Sequence, residues 1–362
     1  MPVEKNIVFT KIDQAISKGI FPGAVLLCAV NQEIIFHESF GMADLFEKRE
    51  MDKDDIFDLA SLTKPFATTL ALSRLMENGK VSLNQKLGSI IKEFKDTDKA
   101  DITIDMLLRH TSGFPAHREY FKQIIKSNEE PRQYLRHLLA NEPLENRPGE
   151  NQEYSDLGFM ILSWIIETIS CQRLDHFVAQ QIYSPLGISE LFFIDLNLKD
   201  AILQRYKQKI VATQQCPWRK KILVGEVDDD NAWVVGGVEG HAGLFGNADS
   251  VYKLCCEILN ALHNKPTKVL NPDIIKAFVQ KKNHHDMVAG FDTPSKENSS
   301  SGQYFSKFSI GHLGFTGTSF WIDPKKSLIV VFLTNRVHPF RYNEGLKEFR
   351  SKIHDLVYRK LI

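Results

Sequence analysis

Residues 61–79 read SLTKPFATTLALSRLMENG, and they place a serine and a lysine three positions apart at the start of a helix-forming run. Side chains at positions i and i+3 of a helix lie on the same face, so Ser61 and Lys64 are expected to meet. A serine hydroxyl is a poor nucleophile until a base removes its proton. In the first turn of a helix it also lies beside free backbone N–H groups, which can stabilise an oxyanion. The stretch therefore predicts a nucleophilic serine with a lysine partner.

The same Ser-x-x-Lys spacing occurs twice more, at Ser89 with Lys92 and at Ser250 with Lys253. The surroundings of each copy separate them. After Lys64 the helix consists of small and apolar residues up to an Asn-Gly stop, so it is expected to be buried. A lysine in the first turn of a buried helix requires a partner or a function. Ser89 precedes a charged segment, and Ser250 is expected to cap a peripheral helix.

Two further motifs carry groups that such a serine needs. Tyr154 precedes residues 155–158 (SDLG) at the mouth of a predicted helix. Beside a lysine ammonium a phenol loses its proton more easily and can act as a base, although a tyrosine with one structural hydrogen bond would give the same pattern. Residues 311–317 (GHLGFTG) open a strand whose glycines permit close approach of a ligand, so one of its N–H groups can be the second oxyanion donor. A strand with glycine bulges is the alternative there.

Around these motifs the chain has strands near both ends and helices in the middle. Helices are predicted over 6–19, 66–78, 101–109, 131–141, 157–169, 249–263 and 343–361, and strands over 23–30, 33–39, 309–323 and 327–335. The predicted fold class is therefore α/β, with one antiparallel sheet built from both chain ends and flanked by helices. We expect residues 1–79 and 226–362 to form this part, residues 80–225 to form a mainly helical part, and the active site to lie between them.

Composition and charge argue against several classes of protein. The 362 residues carry 45 basic and 45 acidic side chains, so the chain lacks the basic excess of a nucleic-acid-binding protein. No apolar run has the length of a membrane helix or a signal peptide. The five cysteines are odd in number and have no metal-ligand spacing, which together with the missing export signal predicts a cytoplasmic protein. The expected partner is a small-molecule or short-peptide substrate, with no nucleic acid and no membrane; the sequence predicts no oligomeric state.

The three motifs in this order resemble the serine β-lactamase and penicillin-binding protein superfamily, specifically its branch of class C β-lactamases, DD-carboxypeptidases and related esterases. That family has S-x-x-K, then Y-x-N, then K-T-G or H-T-G. The resemblance covers nearly the whole chain, with flanking matches at residues 20–41, 107–115 (LLRHTSGFP), 239–245 (EGHAGLF) and 314–324 (GFTGTSFWIDP). Class A β-lactamases fit less well, because Leu157 stands where their S-D-N motif has Asn and no Glu-x-x-x-Asn follows.

The resemblance implies a β-lactamase-like fold and a role for each motif residue. Ser61 becomes the nucleophile of an acyl-enzyme with Lys64 as its partner, and Tyr154 becomes the base for acylation and the acid for the leaving group. His312 takes the lysine or histidine place of the third motif. The oxyanion hole is formed by the backbone N–H groups of Ser61 and Phe315. No metal or organic cofactor is implied.

Two residues depart from the family pattern. Asp156 replaces the usual Asn, which places a carboxylate near Lys64 and is expected to raise the lysine pKa. Leu313 replaces the usual Thr or Ser, whose hydroxyl helps to hold a substrate carboxylate in relatives. An alternative register takes residues 315–317 as the third motif, but it puts Phe in the cationic place, so His312 is preferred as a polar donor. The predicted catalytic residues are Ser61, Lys64, Tyr154, Asp156 and His312, and the predicted substrate-binding residues are Leu313, Gly314 and Thr316.

The predicted activity is that of a serine hydrolase, an esterase or a D-amino-acid peptidase or amidase, on small cytoplasmic substrates. The alternatives are a β-lactamase or DD-carboxypeptidase proper, or a catalytically inactive sensor that kept the scaffold. His110 and His241 are expected to shape loops beside the site, because histidine also serves as a structural hydrogen-bonding residue.

Overall fold

The computed structural model describes residues 3–282 and 286–361, and a six-stranded antiparallel sheet lies at its centre. The strands are β1 (Gly23–Val30), β2 (Glu33–Asp44), β3 (Arg49–Glu50), β4 (Phe57–Asp58), β5 (Leu191–Phe193), β6 (Gln215–Cys216), β7 (Lys221–Ile222), β8 (Leu244–Gly246), β9 (Ile310–Leu313), β10 (Ser319–Asp323) and β11 (Leu328–Thr334). The order in the large sheet is β3-β2-β1-β11-β10-β9. The central pair, β1 with β11, runs from Ala24 opposite Thr334 to Val30 opposite Leu328. The prediction of one sheet built from both chain ends is confirmed.

Twelve α-helices surround the sheets in the described part of the chain. They are α1 (Val3–Ser17), α2 (Leu70–Glu77), α3 (Ile104–Leu108), α4 (Phe121–Ile124), α5 (Pro131–Asn141), α6 (Asp156–Ser170), α7 (Leu174–Val178), α8 (Lys199–Tyr206), α9 (Asp230–Val234), α10 (Ala248–Leu262), α11 (Pro272–Val279) and α12 (Gly345–Leu361). Within the described residues, no helix combines the length and the hydropathy needed to cross a membrane.

Both faces of the large sheet are buried, which explains why β1 reads as the continuous apolar run GAVLLCAV. On one face α1 and α12 pack together over Leu26 and Phe332. Phe21 and Phe349 close this layer, with their ring centroids 5.4 Å apart. The other face, with Leu27 among its side chains, belongs to the larger core shared with α2, α6, α10 and α11. Side chains alternate between the two faces along each strand, so burial on both sides requires apolar residues at successive positions.

The predicted helix that begins near Ser61 has three parts. A 3₁₀ turn (Ala60–Leu62) is followed by a wider π-helical segment (Lys64–Thr69), and only then by α2. Pro65 lies in the wider segment and has no N–H to donate, so a regular α-helical turn would lack one hydrogen bond there. The helix ends as predicted, because Gly79 takes φ +64°, a conformation that glycine adopts without strain.

The single strand predicted over 309–323 is wrong, because two strands, β9 and β10, occupy that range. Between them Gly314 N donates to Thr318 O at 2.7 Å and closes a tight turn. Gly317 adopts φ +111° in this turn, and a Cβ on Gly314 would lie 2.0 Å from the Thr318 hydroxyl. The two glycines therefore permit a reversal of the chain at a point where the sequence pattern predicts a continuous strand.

The division at residues 79 and 225 stays a prediction. The strands of the large sheet all come from the two terminal segments, and α3 to α8 come from the middle one. However, β5 from the middle segment pairs with β8, which in turn pairs with β4, so one small sheet joins the two segments.

Cys171 at the end of α6 offers a test of the backbone geometry. It adopts a left-handed conformation with φ 54° and its side chain is exposed. Because glycine removes the steric cost of this conformation, Cys171→Gly should stabilise the protein by about 0.5–1 kcal/mol. Urea unfolding followed by circular dichroism measures this. The neighbouring change Gln172→Gly lacks that benefit and should not stabilise; equal effects of the two changes would contradict the explanation.

Candidate active site

A cavity of about 600 Å³ opens between β9, the turn after β4 and the start of α6. Of the predicted site residues, Ser61, Tyr154, Asp156, His312, Leu313, Gly314 and Phe315 line it, together with His110 and His241. Lys64 is fully buried directly behind this lining. The other two Ser-x-x-Lys serines are not in the lining: Ser89 donates to Lys86 O, and Ser250 is buried in α10. The prediction that Ser250 caps this helix is wrong, because Asn247 is the capping residue and accepts the hydrogen bond from Ser250 N.

Ser61 lies in a turn with a strained backbone. Ala60, directly before it, has φ +48°, an uncommon value for a residue with a side chain. The Asp58 carboxylate accepts a hydrogen bond from Ala60 N at 2.9 Å and another from Asp228 N at 2.6 Å. The hydroxyl of Thr316 donates to Asp58 O at 2.7 Å. The surrounding chain thus holds the turn in place from several sides.

The ammonium group of Lys64 donates its hydrogen bonds to groups inside the protein. Its Nζ donates to Asp156 Oδ1 at 2.7 Å, to Ser61 Oγ at 3.2 Å and to the His241 carbonyl at 3.2 Å. Nζ also lies 4.7 Å from the centre of the Tyr154 ring, and both Lys64 and Ser61 are close enough to the Tyr154 phenol to act on its pKa. The serine, the lysine and the tyrosine predicted to act together therefore meet at one point.

The charges in this cluster shift the pKa of each group and so determine which groups are protonated. Burial alone would lower the pKa of Lys64, but the Asp156 carboxylate outweighs it and the lysine pKa is raised, as expected from the sequence. Burial would raise the pKa of Asp156, but Lys64 and His117 hold it well below its usual range. Burial raises the pKa of Tyr154, and Lys64 offsets this only in part. At neutral pH the cluster consists of an ammonium, a carboxylate and a neutral phenol.

Two histidines flank the tyrosine ring. His110 lies with its ring centre 4.7 Å from that of Tyr154, and its Nδ1 accepts a hydrogen bond from Ser155 N at 2.9 Å. Burial keeps the pKa of His110 well below its usual value, so the ring is neutral. His110 therefore holds the backbone next to Tyr154, as a structural histidine would. On the other side the His312 ring centre is 6.0 Å from that of Tyr154.

His312 is not the polar donor that the sequence predicted. Its Nδ1 lies 2.9 Å from Leu313 O, and a carbonyl oxygen only accepts, so Nδ1 carries the hydrogen. Burial, with help from the Lys64 charge, lowers the pKa of His312 to about 3, which leaves Nε2 without a proton. The ring therefore presents a neutral acceptor to the cavity where the family pattern has a cation or a donor.

The loop after His312 fulfils only part of its predicted role. Leu313 and Gly314 line the cavity, and so does Phe315, which has half of its side chain exposed. Thr316 does not: it is buried, and its hydroxyl is committed to Asp58 O, so it supports the turn that carries Ser61. Neither Ser61 N nor Phe315 N donates a hydrogen bond within the described residues, which leaves both free for a substrate oxygen.

Comparison with known proteins places the chain in a family. A sequence model of the family described as Beta-lactamase matches residues 9–354. The chain belongs to the beta-lactamase family. It is a serine hydrolase. A protein of Escherichia coli (strain K12) called "Putative D-alanyl-D-alanine carboxypeptidase" is 30% identical over 360 residues, covering 90% of this chain and 81% of that protein. One of the same name from Salmonella agona (strain SL483) is 29% identical over 350 residues, covering 88% and 79%.

Several solved structures share the fold over nearly the whole chain. EstCE1, described as "a hydrolase with promiscuous acyltransferase activity", gives a TM-score of 0.77 at 22% identity, covering 98% of each chain. The octameric penicillin-binding protein homologue from Pyrococcus abyssi gives 0.75 at 17% identity, covering 99% of this chain and 77% of that one. Simvastatin synthase from Aspergillus terreus gives 0.74 at 16% identity, covering 99% and 100%. These likenesses confirm the β-lactamase-like fold.

This beta-lactamase family member has an acidic cavity wall that was not predicted. The run Asp228 to Asp230 lines the cavity, and Asp229 Oδ1 lies 2.9 Å from His241 Nε2. Arg341 pairs with both Asp228 and Asp230. His117 Nδ1 lies 3.2 Å from Asp156 Oδ2. The acidic run can be read from the sequence, but runs of charged residues usually face solvent. Only the fold shows that this run faces the cavity. Among the described residues, no group of acidic, histidine or cysteine side chains is arranged to hold a metal ion.

The buried Asp58 carboxyl should make stability depend on pH. Burial, with a further contribution from Asp228, raises the pKa of Asp58 to about 7. The folded protein then keeps a proton at pH 6 that the unfolded chain has lost, so stability falls as the pH rises through 7. Between about pH 6 and 8.5 this group should cost about 1 kcal/mol of unfolding free energy.

Urea unfolding at the two pH values measures this effect. Asp58→Asn should remove it, while Asp101→Asn, at a carboxyl whose side chain is 85% exposed, should keep the pH dependence of the parent. Parallel pH dependence in the parent and in Asp58→Asn would contradict the assignment.

Proposed function

We propose that this serine hydrolase is an esterase or amidase for small substrates that forms an acyl-enzyme on Ser61. The contact of Ser61 Oγ with Lys64 Nζ, beside Tyr154 and open to the cavity, is the observation that carries the proposal. Ser61 Oγ attacks the substrate carbonyl and passes its proton to the Tyr154–Lys64 pair. The free N–H groups of Ser61 and Phe315 stabilise the oxyanion. The leaving group takes up this proton as the acyl-enzyme forms. Water then attacks the acyl-enzyme carbonyl through the same steps of proton transfer and releases the product.

Tyr154 is the better candidate for the base, with Lys64 as its electrostatic support. Asp156 keeps the lysine charged, and a firmly protonated ammonium cannot accept a proton. The same charge favours the phenolate of Tyr154 when substrate arrives, although burial keeps the tyrosine pKa raised in the free enzyme. The reactive form of the free enzyme is therefore a minor one at neutral pH, and its population rises with pH.

The charges of the lining favour substrates without a carboxylate near the reacting bond. Arg341 is already paired with Asp228 and Asp230, and His312 is neutral. Leu313 offers no hydroxyl. A carboxypeptidase substrate ends in a carboxylate, which would meet acidic side chains here without a free cation among the lining residues. The five unpaired cysteines support the predicted cytoplasmic location.

A DD-carboxypeptidase is the second candidate, favoured by the names of the E. coli and Salmonella relatives. Release of D-alanine from a peptide ending in D-Ala-D-Ala, faster than hydrolysis of a neutral ester, would support it. An inactive sensor is disfavoured because Ser61, Lys64 and Tyr154 are all present and in contact.

Ser61→Ala should abolish both turnover of p-nitrophenyl propionate and covalent labelling by a fluorescent fluorophosphonate. The fold should remain, because the change removes one partly exposed hydroxyl and opens no large cavity. Ser89→Ala, at an exposed hydroxyl of another Ser-x-x-Lys copy, is the matched control and should retain full activity. Undiminished ester hydrolysis by Ser61→Ala would refute the proposal.

Asp156→Asn should shift the rising limb of the pH profile of kcat/KM to lower pH. The Asp156 carboxylate raises the pKa of both Lys64 and Tyr154, so its removal lowers both. A shift of about one pH unit corresponds to about 1.4 kcal/mol, which such a close charge can supply. Initial rates from about pH 6 to 10, with Ser61→Ala as the blank for spontaneous hydrolysis, measure it. Superimposable profiles for the parent and the variant would contradict the electrostatic role.

A further inference from the structure

His117 extends the ion pair of Lys64 and Asp156 by one residue. The two oxygens of the Asp156 carboxylate have different partners: Oδ1 accepts a hydrogen bond from Lys64 Nζ at 2.7 Å, and Oδ2 lies 3.2 Å from His117 Nδ1. Although burial opposes them, Lys64 and His117 hold the pKa of Asp156 well below its usual range, so the carboxylate is ionised and can only accept. His117 Nδ1 therefore carries a hydrogen and donates it to Asp156.

The backbone around His117 is fixed from two sides. Asp156 N donates to Ala116 O at 2.8 Å, which attaches this segment to the start of α6. Asn231 of α9 is buried, and its side-chain amide donates to Arg118 O at 2.8 Å. Main-chain groups on both sides of His117 are thus held in place, and its ring meets Asp156 without any further movement of the segment.

The groups that face His117 are acidic. Its hydrogen bond to Asp156 raises the pKa of the imidazole against the effect of burial, and the charges of Asp156, Asp229 and Glu119 act in the same direction. Nδ1 keeps its hydrogen in the charged and in the neutral form of the ring, so the donor to Asp156 persists when His117 titrates. The side chain is 48% exposed, so its removal opens no cavity in the core.

The Asp156 charge acts on both groups that handle the serine proton. Burial lowers the pKa of Lys64 and raises that of Tyr154, and the Asp156 carboxylate raises both. Lys64 and His117 contact this carboxylate, and His241 acts on it from further away. The partial positive charge of the His117 N–H offsets part of the carboxylate charge. His117 therefore limits how firmly Lys64 and Tyr154 hold their protons.

We propose that His117 is a positioning residue of the acyl-enzyme chemistry, whose Nδ1–H holds Asp156 Oδ2, keeps Oδ1 on Lys64 and offsets part of the carboxylate charge. This inference rests on the proposed function and assigns to it a residue outside the three motifs. His117 acts through Asp156 and needs no contact with the substrate. The family pattern has Asn at position 156, and an amide there would bring no charge for a histidine to offset.

The test is a double-mutant cycle, read as pH profiles of kcat/KM for p-nitrophenyl propionate. His117→Ala leaves Asp156 Oδ2 without its donor, so the rising limb should shift to higher pH, opposite to the shift expected for Asp156→Asn. At a fixed pH on this limb kcat/KM should fall about threefold to tenfold, which corresponds to a shift of about half a pH unit to one unit. Labelling of Ser61 by the fluorophosphonate does not include deacylation, and its rate should fall by the same factor.

Three further variants locate the effect. His117→Asn supplies an amide donor in place of Nδ1–H and should keep the limb close to that of the parent. In the Asp156→Asn background, His117→Ala should change the profile no further, because residues that act through one contact are not additive. His176→Ala removes another exposed histidine, which lies 3.8 Å from Asp175 and outside the cavity lining, and it should keep the parent profile.

The outcomes separate the two proposals. A parent-like profile for His117→Ala overturns the role of His117 and leaves the proposed function standing. An equal loss in the parent and in the Asp156→Asn background overturns it too, because His117 would then act on the substrate or on the fold directly. His117→Asn as impaired as His117→Ala overturns the hydrogen-bond role. Absence of all hydrolysis by the parent, with no labelling of Ser61, overturns the proposed function and this inference together.

Discussion

The ion pair between Lys64 and Asp156 is the constraint on which the site depends. A fully buried ammonium is costly unless charge and hydrogen bonds compensate it. Here the compensation comes from two distant parts of the chain, Asp156 at the start of α6 and the His241 carbonyl. The three segments must dock together for the lysine to remain charged. The charge of Lys64 therefore depends on the tertiary contacts that bring α6 and the His241 segment to it.

The strained turn at Ala60 follows from the position that Ser61 must take in the site. A serine pointing into a cavity directly after a strand needs an abrupt change of direction, and a positive φ at Ala60 provides it. Such backbone strain persists only when its surroundings fix it. Asp58, Thr316 and Thr318 do so with hydrogen bonds to the turn and to the residues before it. The last two belong to the loop between β9 and β10, so the edge of the large sheet supports the serine directly.

The sequence allowed more of the backbone to be predicted than of the site. Strand-like apolar runs identified β1 and β2, and helical spacing identified α6 and α10, because burial restricts which residues a short segment can contain. The meeting of Ser61, Lys64 and Tyr154 was predictable from motif spacing and resemblance. The proton on His312 was not, since it depends on a carbonyl and on burial that only the folded chain supplies. Nor was Thr316, whose hydroxyl faces inward because of a turn that the strand pattern concealed.

The strand order has a consequence for how the protein is made. The centre of the large sheet pairs β1, near the beginning of the chain, with β11, which ends at residue 334. A ribosome must therefore synthesise almost the whole polypeptide before the first hairpin acquires its main partner. Contacts between such distant residues form slowly, and until then the apolar faces of β1 stay uncovered. Because the turn of Ser61 is supported by the loop before β10, the nucleophile lacks this support until Thr316 and Thr318 have been synthesised and have docked onto it.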